Sequence, residues 1–355
     1  MSAEQYWKDK RVLVTGGAGF IGAEIVRQLS FFSVRETVVL DKLTYAADLG
    51  RLASLEGCYS LKKVALEDSS AVKDAFRDSQ PDIVIHAAAE SHVDRSIDGP
   101  GDFVQSNIVG TFNLLQTALS FWSEKEKPNQ FRFLHISTDE VYGSLGKGGF
   151  FSETSSYDPR SPYSASKAAS DHLAKAWWHT YGLPTITTNC GNNYGPWQFP
   201  EKLIPLMVAN AIDGKTLPLY GEGNQIREWI HVTDHVEALL LALQKGDAGE
   251  TYLIGSGEEK TNLSVVNSIC DCMDQIYPER SPFSALIKNV EDRPGHDQRY
   301  ALDASKFKSK TGWFPKVVFD QGLANTVDWY VRNQPWWRQI QMETYNQERL
   351  GIIKE

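Results

Sequence analysis

Thr15-Gly16-Gly17-Ala18-Gly19-Phe20-Ile21-Gly22 decides the reading of the first half of this chain. The glycines at 16, 19 and 22 fit a G-x-x-G-x-x-G spacing, and those at 17, 19 and 22 also fit G-x-G-x-x-G. The apolar run Arg11–Thr15 in front predicts a buried strand, and Phe20–Leu29 behind predicts a helix. Such a turn points backbone N–H groups at the positive end of a helix, where any Cβ would hold a pyrophosphate away. Alone, a glycine triplet is a weak signal; between strand and helix it is strong.

The same rhythm continues outward. Thr37–Leu40, Asp82–His86, Phe131–Ser137 and Thr185–Asn189 read as further strands, with helical patterns between them. Strand and helix alternating in this way imply an α/β fold: a Rossmann-type, doubly wound parallel sheet with right-handed crossovers. After about Pro184 the pattern changes. Gly191–Pro205, rich in Asn, Gly, Pro and aromatics, reads as loop. Leu203–Ile212, His235–Gln244 and Leu263–Ile276 read as helices, and Glu250–Ile254 as a strand. We therefore expect an NAD-binding domain over 1–189 and a smaller C-terminal substrate-binding lobe over 190–355. Segments near 229–254 are expected to return to the first domain. The tail with Trp329, Trp336 and Trp337 is amphipathic and then charged, and should pack on the body or fray.

Composition narrows the function classes. With 355 residues, 41% hydrophobic and 23% charged, the chain suits two lobes and excludes global disorder. A net charge of −9 argues against nucleic acid or an anionic membrane as partner, but not against a small anionic ligand. No apolar stretch is long enough for a transmembrane helix, and Met1–Lys10 lacks a signal-peptide run, so a cytoplasmic protein is expected. Cys58, Cys190, Cys270 and Cys272 match no zinc pattern; we expect reduced, mostly buried thiols and no metal.

Asp41 ends the second strand, 19 residues past Gly22. A carboxylate there binds the adenosine ribose and repels a 2′-phosphate, which favours NAD, although Lys42 beside it works the other way. Tyr163 and Lys167 form a Y-x-x-x-K pair sharing one helix face, so the ammonium is expected to favour the phenolate and make Tyr163 a base toward a sugar hydroxyl. Ser137-Thr138-Asp139-Glu140-Val141-Tyr142-Gly143 follows a strand, where such folds bind ligands. Two adjacent carboxyls there suit an acid/base pair better than a metal site, with Asp139 kept protonated by burial or by Glu140. His86 reads as a packed, hydrogen-bonded residue. His92 could line the sugar pocket, and neither is given a proton-transfer role.

Together with Ala88-Ala89-Glu90-Ser91-His92-Val93-Asp94-Arg95-Ser96, Asn192-Asn193-Tyr194-Gly195-Pro196, Pro200-Glu201-Lys202-Leu203-Ile204-Pro205, Gln225-Ile226-Arg227 and Arg293-Pro294-Gly295-His296-Asp297, these motifs resemble the dTDP-glucose 4,6-dehydratase family of extended short-chain dehydrogenases/reductases. The resemblance runs from about residue 10 to 335. It implies NAD as cofactor and conversion of dTDP-glucose to the 4-keto-6-deoxy sugar nucleotide. Tyr163 and Lys167 would act at the C4 hydroxyl, with Thr138 hydrogen-bonding the C4 oxygen. Glu140 would be the base at C5 and Asp139 the acid at the C6 hydroxyl. The implied cofactor residues are Gly16, Gly19, Phe20, Ile21, Gly22, Asp41, Lys42, Thr44, Leu66, Ala87, Ala89 and Asn107, besides Tyr163 and Lys167. The implied substrate residues are Ser91, Asn192, Lys202, Leu203, Pro218, Tyr220, Asn262, His296 and Tyr300, with Arg227 and Arg293 on the diphosphate. Arg227 is expected in a site loop. A homodimer pairing the helices 163–181 and 102–119 is also implied, with Phe103, Phe112 and Leu115 as candidate contacts.

The chain departs from that pattern at Ala65-Leu66-Glu67-Asp68, where the family carries an Asp–Ile pair. Ala65 cannot accept the adenine amino bond, so that recognition is looser or shifted to a neighbour. Trp197 stands where a tyrosine is common, and Gly191 where a small polar residue is common. The alternatives are a dehydratase for another nucleotide such as UDP, a 4-epimerase or decarboxylase of the same fold, an NADH-releasing alcohol dehydrogenase, and a non-catalytic NAD-binding protein. Asp139-Glu140 speaks against the epimerase, and the intact Tyr163/Lys167 pair against the last.

Overall fold

The structure, a computed structural model, describes residues 2–345; the charged end of the chain lies outside that range. Twelve strands are described: β1 (Arg11–Thr15), β2 (Glu36–Asp41), β3 (Ser60–Lys63), β4 (Ile83–His86), β5 (Arg132–Thr138), β6 (Thr185–Cys190), β7 (Asn192–Tyr194), β8 (Leu217–Tyr220), β9 (Ile226–His231), β10 (Thr251–Ile254), β11 (Glu259–Thr261) and β12 (Ile287–Val290). Seven form one parallel sheet in the order β10-β6-β5-β4-β1-β2-β3. Its central strands are buried on both faces, which is why Arg11–Thr15 and Ile83–His86 are almost unbroken apolar runs. Strand order reverses between β1 and β4, and a crevice opens there at the carboxyl ends.

Both faces of the sheet carry helices. On one, Phe20–Leu29 packs against Val232–Lys245 over Val14, Ile25, Val39 and Leu239. On the other, Ser69–Ser79, Gly110–Glu124 and Pro162–Tyr181 cover Phe76, Leu114, Phe133 and Trp177. The helix 162–181 starts on a capping box of Ser161 and Ser164 with Pro162 in its first turn, and stops at Gly182, whose φ of +73° few other residues tolerate. A separate core of Met207, Val208, Val265, Ile269, Phe319, Val327 and Trp337 joins the helices 203–213, 262–276 and 319–332. The tail packs: Trp337 is buried, and Trp329 and Trp336 close on Trp197.

Several expectations need correcting. Gly191–Pro205 is not all loop, because Asn192–Tyr194 pairs in parallel with Trp229–His231 and β11 closes the other side of β9. A polar Asn-Asn-Tyr strand shows no apolar alternation, so only the distant partner reveals it. The helix expected over 102–119 begins as Pro100–Phe103, widens to a π-helical turn over Val104–Val109 and resumes as Gly110–Glu124. On it Phe103 and Leu115 face the monomer core, while Phe112 is 43% exposed. Of the thiols, Cys190 and Cys270 are buried, Cys272 is half-buried and Cys58 is exposed; all four are free. No helix among the described residues is long and apolar enough to cross a membrane.

Candidate active site

Two adjoining cavities of 310 and 270 Å³ lie in the crevice and share Ser91, Glu140, Asn192, Glu201 and Lys202. The first is lined by Gly16, Gly19, Phe20, Ile21 and Gly22, by Asp41, Lys42, Thr44 and Leu66, and by Ala87 and Ala89. Gly16 has φ +71°, and a Cβ there would come within 2.6 Å of the Ala88 Cα. A Cβ on Gly22 would strike the Gly16 carbonyl, so both positions require glycine to keep turn and helix in contact. Gly19 heads the helix with no side chain capping it, leaving its N-terminus available for an anion. The Asp41 carboxylate accepts from the amides of Ala18 (3.0 Å) and Leu43 (2.8 Å), and so pins the end of β2 to the glycine turn. Glycine cradle, open helix N-terminus and buried carboxylate suit an adenine dinucleotide. Asn107 does not line the cavity: its side chain bonds the Glu90 amide and carbonyl and the Ser166 hydroxyl, fixing the wall from behind.

The strand β5 carries Thr138 to the floor of this cavity, and one 3-10 turn, Asp139–Tyr142, follows it. Asp139 is 1% exposed; one carboxyl oxygen accepts from Thr138 Oγ1 at 3.1 Å, and the other has no hydrogen-bond partner. Burial, then the neighbouring Glu140 and Glu228, push its pKa well above the aspartate value against the pull of Arg227 and Thr138, and so favour the protonated acid. Glu140 sits at the seam of the two cavities. Burial raises its pKa too, but Arg293, Arg227 and Lys202 oppose the shift. Two neighbouring carboxyls are thereby given different proton affinities by position alone.

Tyr163 and Lys167 line the same cavity from the helix 162–181. The Lys167 ammonium donates to the Ile136 carbonyl at 2.8 Å. Burial, with Glu140 second, pushes the Tyr163 phenol up rather than down; the Thr138 hydroxyl, hydrogen-bonded to it, is the group that favours the phenolate. The expected depression of that pKa is therefore not a property of the chain alone, because desolvation of a buried phenol outweighs its neighbours. Asp171, one turn beyond Lys167 and fully buried, accepts from Tyr157 and Asn189 and lies 3.0 Å from His135 Nε2. Asn189 in turn donates to the Thr138 carbonyl, bracing the catalytic strand end.

The second cavity gathers Ser91, Asn192, Lys202, Leu203, Pro218, Tyr220, Arg227, Asn262, Arg293 and His296. Arg293 meets Asp94 at 2.9 Å, and Tyr220 donates to the same carboxylate at 3.0 Å. Lys202 donates to the Ser91 carbonyl at 2.8 Å. Arg227 is on β9 and 4% exposed, not in a loop, since pairing with β11 extends the strand to Ile226. Tyr300 does not line the cavity. Its ring lies 4.3 Å from the Arg227 guanidinium carbon and its hydroxyl donates to Asp297, so it supports Arg227 from beneath. His86 is buried between the Thr15 and Thr111 hydroxyls, whereas His92 caps the helix 93–98 and faces the second cavity. Sequence reasoning missed Glu67, Ser106, Cys190 and Glu201 as lining residues, and Asp171 behind them. Asp171 left a signal in its i+4 spacing from Lys167, and Glu67 and Glu201 lie inside stretches already singled out.

The family model described as GDP-mannose 4,6 dehydratase matches residues 13–326. The chain is 52% identical over 349 residues to a probable dTDP-glucose 4,6-dehydratase of Sinorhizobium fredii, covering 97% of this chain and 99% of that one. It is 51% identical to the dTDP-glucose 4,6-dehydratase of Neisseria meningitidis, covering 97% and 100%. Among solved structures it resembles the dTDP-glucose 4,6-dehydratase DesIV of Streptomyces venezuelae, determined with NAD and dTDP bound. The TM-score is 0.86 at 44% identity, covering 93% of this chain and 99% of that one.

Proposed function

The chain belongs to the nucleotide-sugar 4,6-dehydratase family, and from that premise we propose how its cleft converts dTDP-glucose to dTDP-4-keto-6-deoxy-glucose. The observation that carries this reading is the pair Asp139-Glu140, one carboxyl fully buried with Arg227 as its cation and the other facing Arg293, Arg227 and Lys202. NAD, when bound, would supply the hydride chemistry of a redox-neutral reaction. Gly16, Gly19 and Gly22 would admit its pyrophosphate, and Asp41 would meet the adenosine ribose.

Tyr163, with Thr138 hydrogen-bonded to its phenol and Lys167 one turn away, takes the proton of the C4 hydroxyl. The 4-ketone acidifies C5. Glu140, whose carboxylate form Arg293, Arg227 and Lys202 favour against burial, removes the C5 proton, Asp139 gives its proton to the departing C6 hydroxyl, and C5 regains a proton from solvent as the resulting C5–C6 double bond is reduced. Neighbouring positions on one turn are needed because these two transfers occur on adjacent carbons. Arg227 and Arg293 take the diphosphate, for which a planar fork of charged donors is suited, while Pro218 and Tyr220 flank the base. Asn192, Leu203, Asn262 and His296 complete the substrate contacts.

We read the enzyme as a homodimer. The support is an aromatic run over the helices 110–124 and 162–181: Phe112 and Tyr181, 43% and 46% exposed, both edge-on to Trp177. Cytoplasmic location is supported by a nucleotide-sugar substrate and by four free thiols.

Incubation with dTDP-glucose in deuterated water, without added NAD, tests the reading by mass spectrometry. Loss of one water with one deuterium gained is expected. A sugar nucleotide of unchanged mass, with UDP-glucose also untouched after NAD is supplied, would overturn it.

A further inference from the structure

Lys42 and the Ala65-Leu66-Glu67 departure meet in the cofactor cavity. The Lys42 ammonium donates to Ser106 Oγ at 2.6 Å and lies 3.0 Å from Glu67 Oε1; Glu90 is 3.8 Å away. Ser106 passes the bond on, its hydroxyl donating to the same Glu67 oxygen at 2.9 Å. Asn113 holds the Leu66 and Glu67 carbonyls at 3.0 and 3.1 Å, which fixes where Glu67 projects. Burial alone would raise the Glu67 carboxyl. Its own amide, Lys42 and Ser106 hydrogen-bond the charged form and hold it below the ordinary range. All three groups of the triad line the cavity next to Asp41; Ser106 is buried, while the Lys42 side chain is 32% exposed and that of Glu67 25%.

We propose that Glu67 is a cofactor-selectivity residue: by engaging Lys42 and Ser106 it withdraws the donors that would otherwise receive a 2′-phosphate, and so reserves the site for NAD over NADP. The proposal rests on the NAD reading above. Asp41 repels a 2′-phosphate from one side, but a lysine directly after it would offset that repulsion if left free. With Glu67 in place, Lys42 is surrounded by the carboxyl groups of Glu67 and Glu90, and Arg51, the other cation beside Asp41, is 1% exposed and donates to the Ala18, Ala46 and Trp197 carbonyls. A phosphate with close to two negative charges is then met by Asp41 and Glu67 and by a lysine already in use.

Mass spectrometry of the cofactor released from denatured, purified holoprotein tests this without reference to turnover. Wild type, Glu67→Gln and the double variant Glu67→Gln/Lys42→Met are isolated from the same cells. The NADP:NAD ratio is expected to rise roughly ten- to a hundredfold in Glu67→Gln, the range of one charged hydrogen bond, and to fall back in the double variant. Glu67→Ser reads the same ratio should the glutamine variant fail to accumulate. NAD in every protein at an unchanged ratio, or a rise that persists without Lys42, overturns the selectivity role while leaving the cofactor assignment intact. Absence of both dinucleotides from the wild-type protein overturns the cofactor assignment and this inference with it.

Discussion

The two halves of the cleft hold anions by different means. The cofactor half is made mostly of backbone: a glycine turn, an uncapped helix N-terminus and strand ends taken in chain order from β1 to β5. Its charged side chains are matched locally, Asp41 to two amides and Lys42 to Glu67. The substrate half draws on separate segments, from Ser91 to His296, and brings Lys202, Arg227 and Arg293 around Glu140. A dinucleotide that stays through the cycle suits a shape-fitting grip whose anion contacts come from backbone. A substrate that arrives and leaves with a diphosphate suits side-chain cations, whose attraction acts at a distance and whose contacts are released without unfolding the wall. The same cations tune Glu140, so substrate binding and C5 chemistry share charges in a way cofactor binding does not.

The largest effect should appear at the seam. Asp139→Asn, Glu140→Gln and Tyr163→Phe should each lower turnover by about 10²–10⁴-fold while the protein still carries NAD, as measured by assay and by released cofactor. Unimpaired C5 deuterium uptake in Glu140→Gln would sink its role as base. Next in size, Arg227→Met and Arg293→Met should reduce kcat/KM by roughly ten- to a hundredfold, with NAD content unchanged. If either variant lost its NAD instead, the halves would not be independent and the comparison would break.

The smallest effect sharpens it through stability. The folded-state pKa of Asp139 lies well above its ordinary 3.8. Any stability from its neutral form is complete below that ordinary value and is lost as pH rises toward and through the raised one. Asp139→Asn cannot ionise, so its melting temperature should gain on wild type from about pH 4 to pH 8, by roughly 2 °C or more. A constant difference across that range would mean that Asp139 is not held neutral by its surroundings.

Legibility differed along the same divide. Gly16, Gly19, Gly22 and Asp41 were readable because a parallel strand, a tight turn and a helix leave a periodic, local signature. Asp139 and Glu140 were readable as a pair, since their chemistry needs adjacency on one turn. Asn107 and Tyr300 fell outside the lining: proximity in a motif does not say whether a side chain faces the cavity or braces one that does. Arg227 looked like a loop residue because the partner that makes it a strand residue, Lys260 of β11, lies 33 residues after it.

By itself, the sequence determined the doubly wound sheet, the glycine turn and the adjacency of Asp139 and Glu140 near the Tyr163/Lys167 pair, since each depends on residues within a few positions of one another and on periodicities of two or 3.6. Tertiary structure alone decided which way burial shifts those groups and which cations they meet. Glu140 gains Arg293, Arg227 and Lys202, Lys42 is matched by Glu67, and Tyr163 is pushed up by burial. Desolvation and Coulomb interaction depend on distances in space, and distant segments become neighbours only when the second lobe closes over the strand ends.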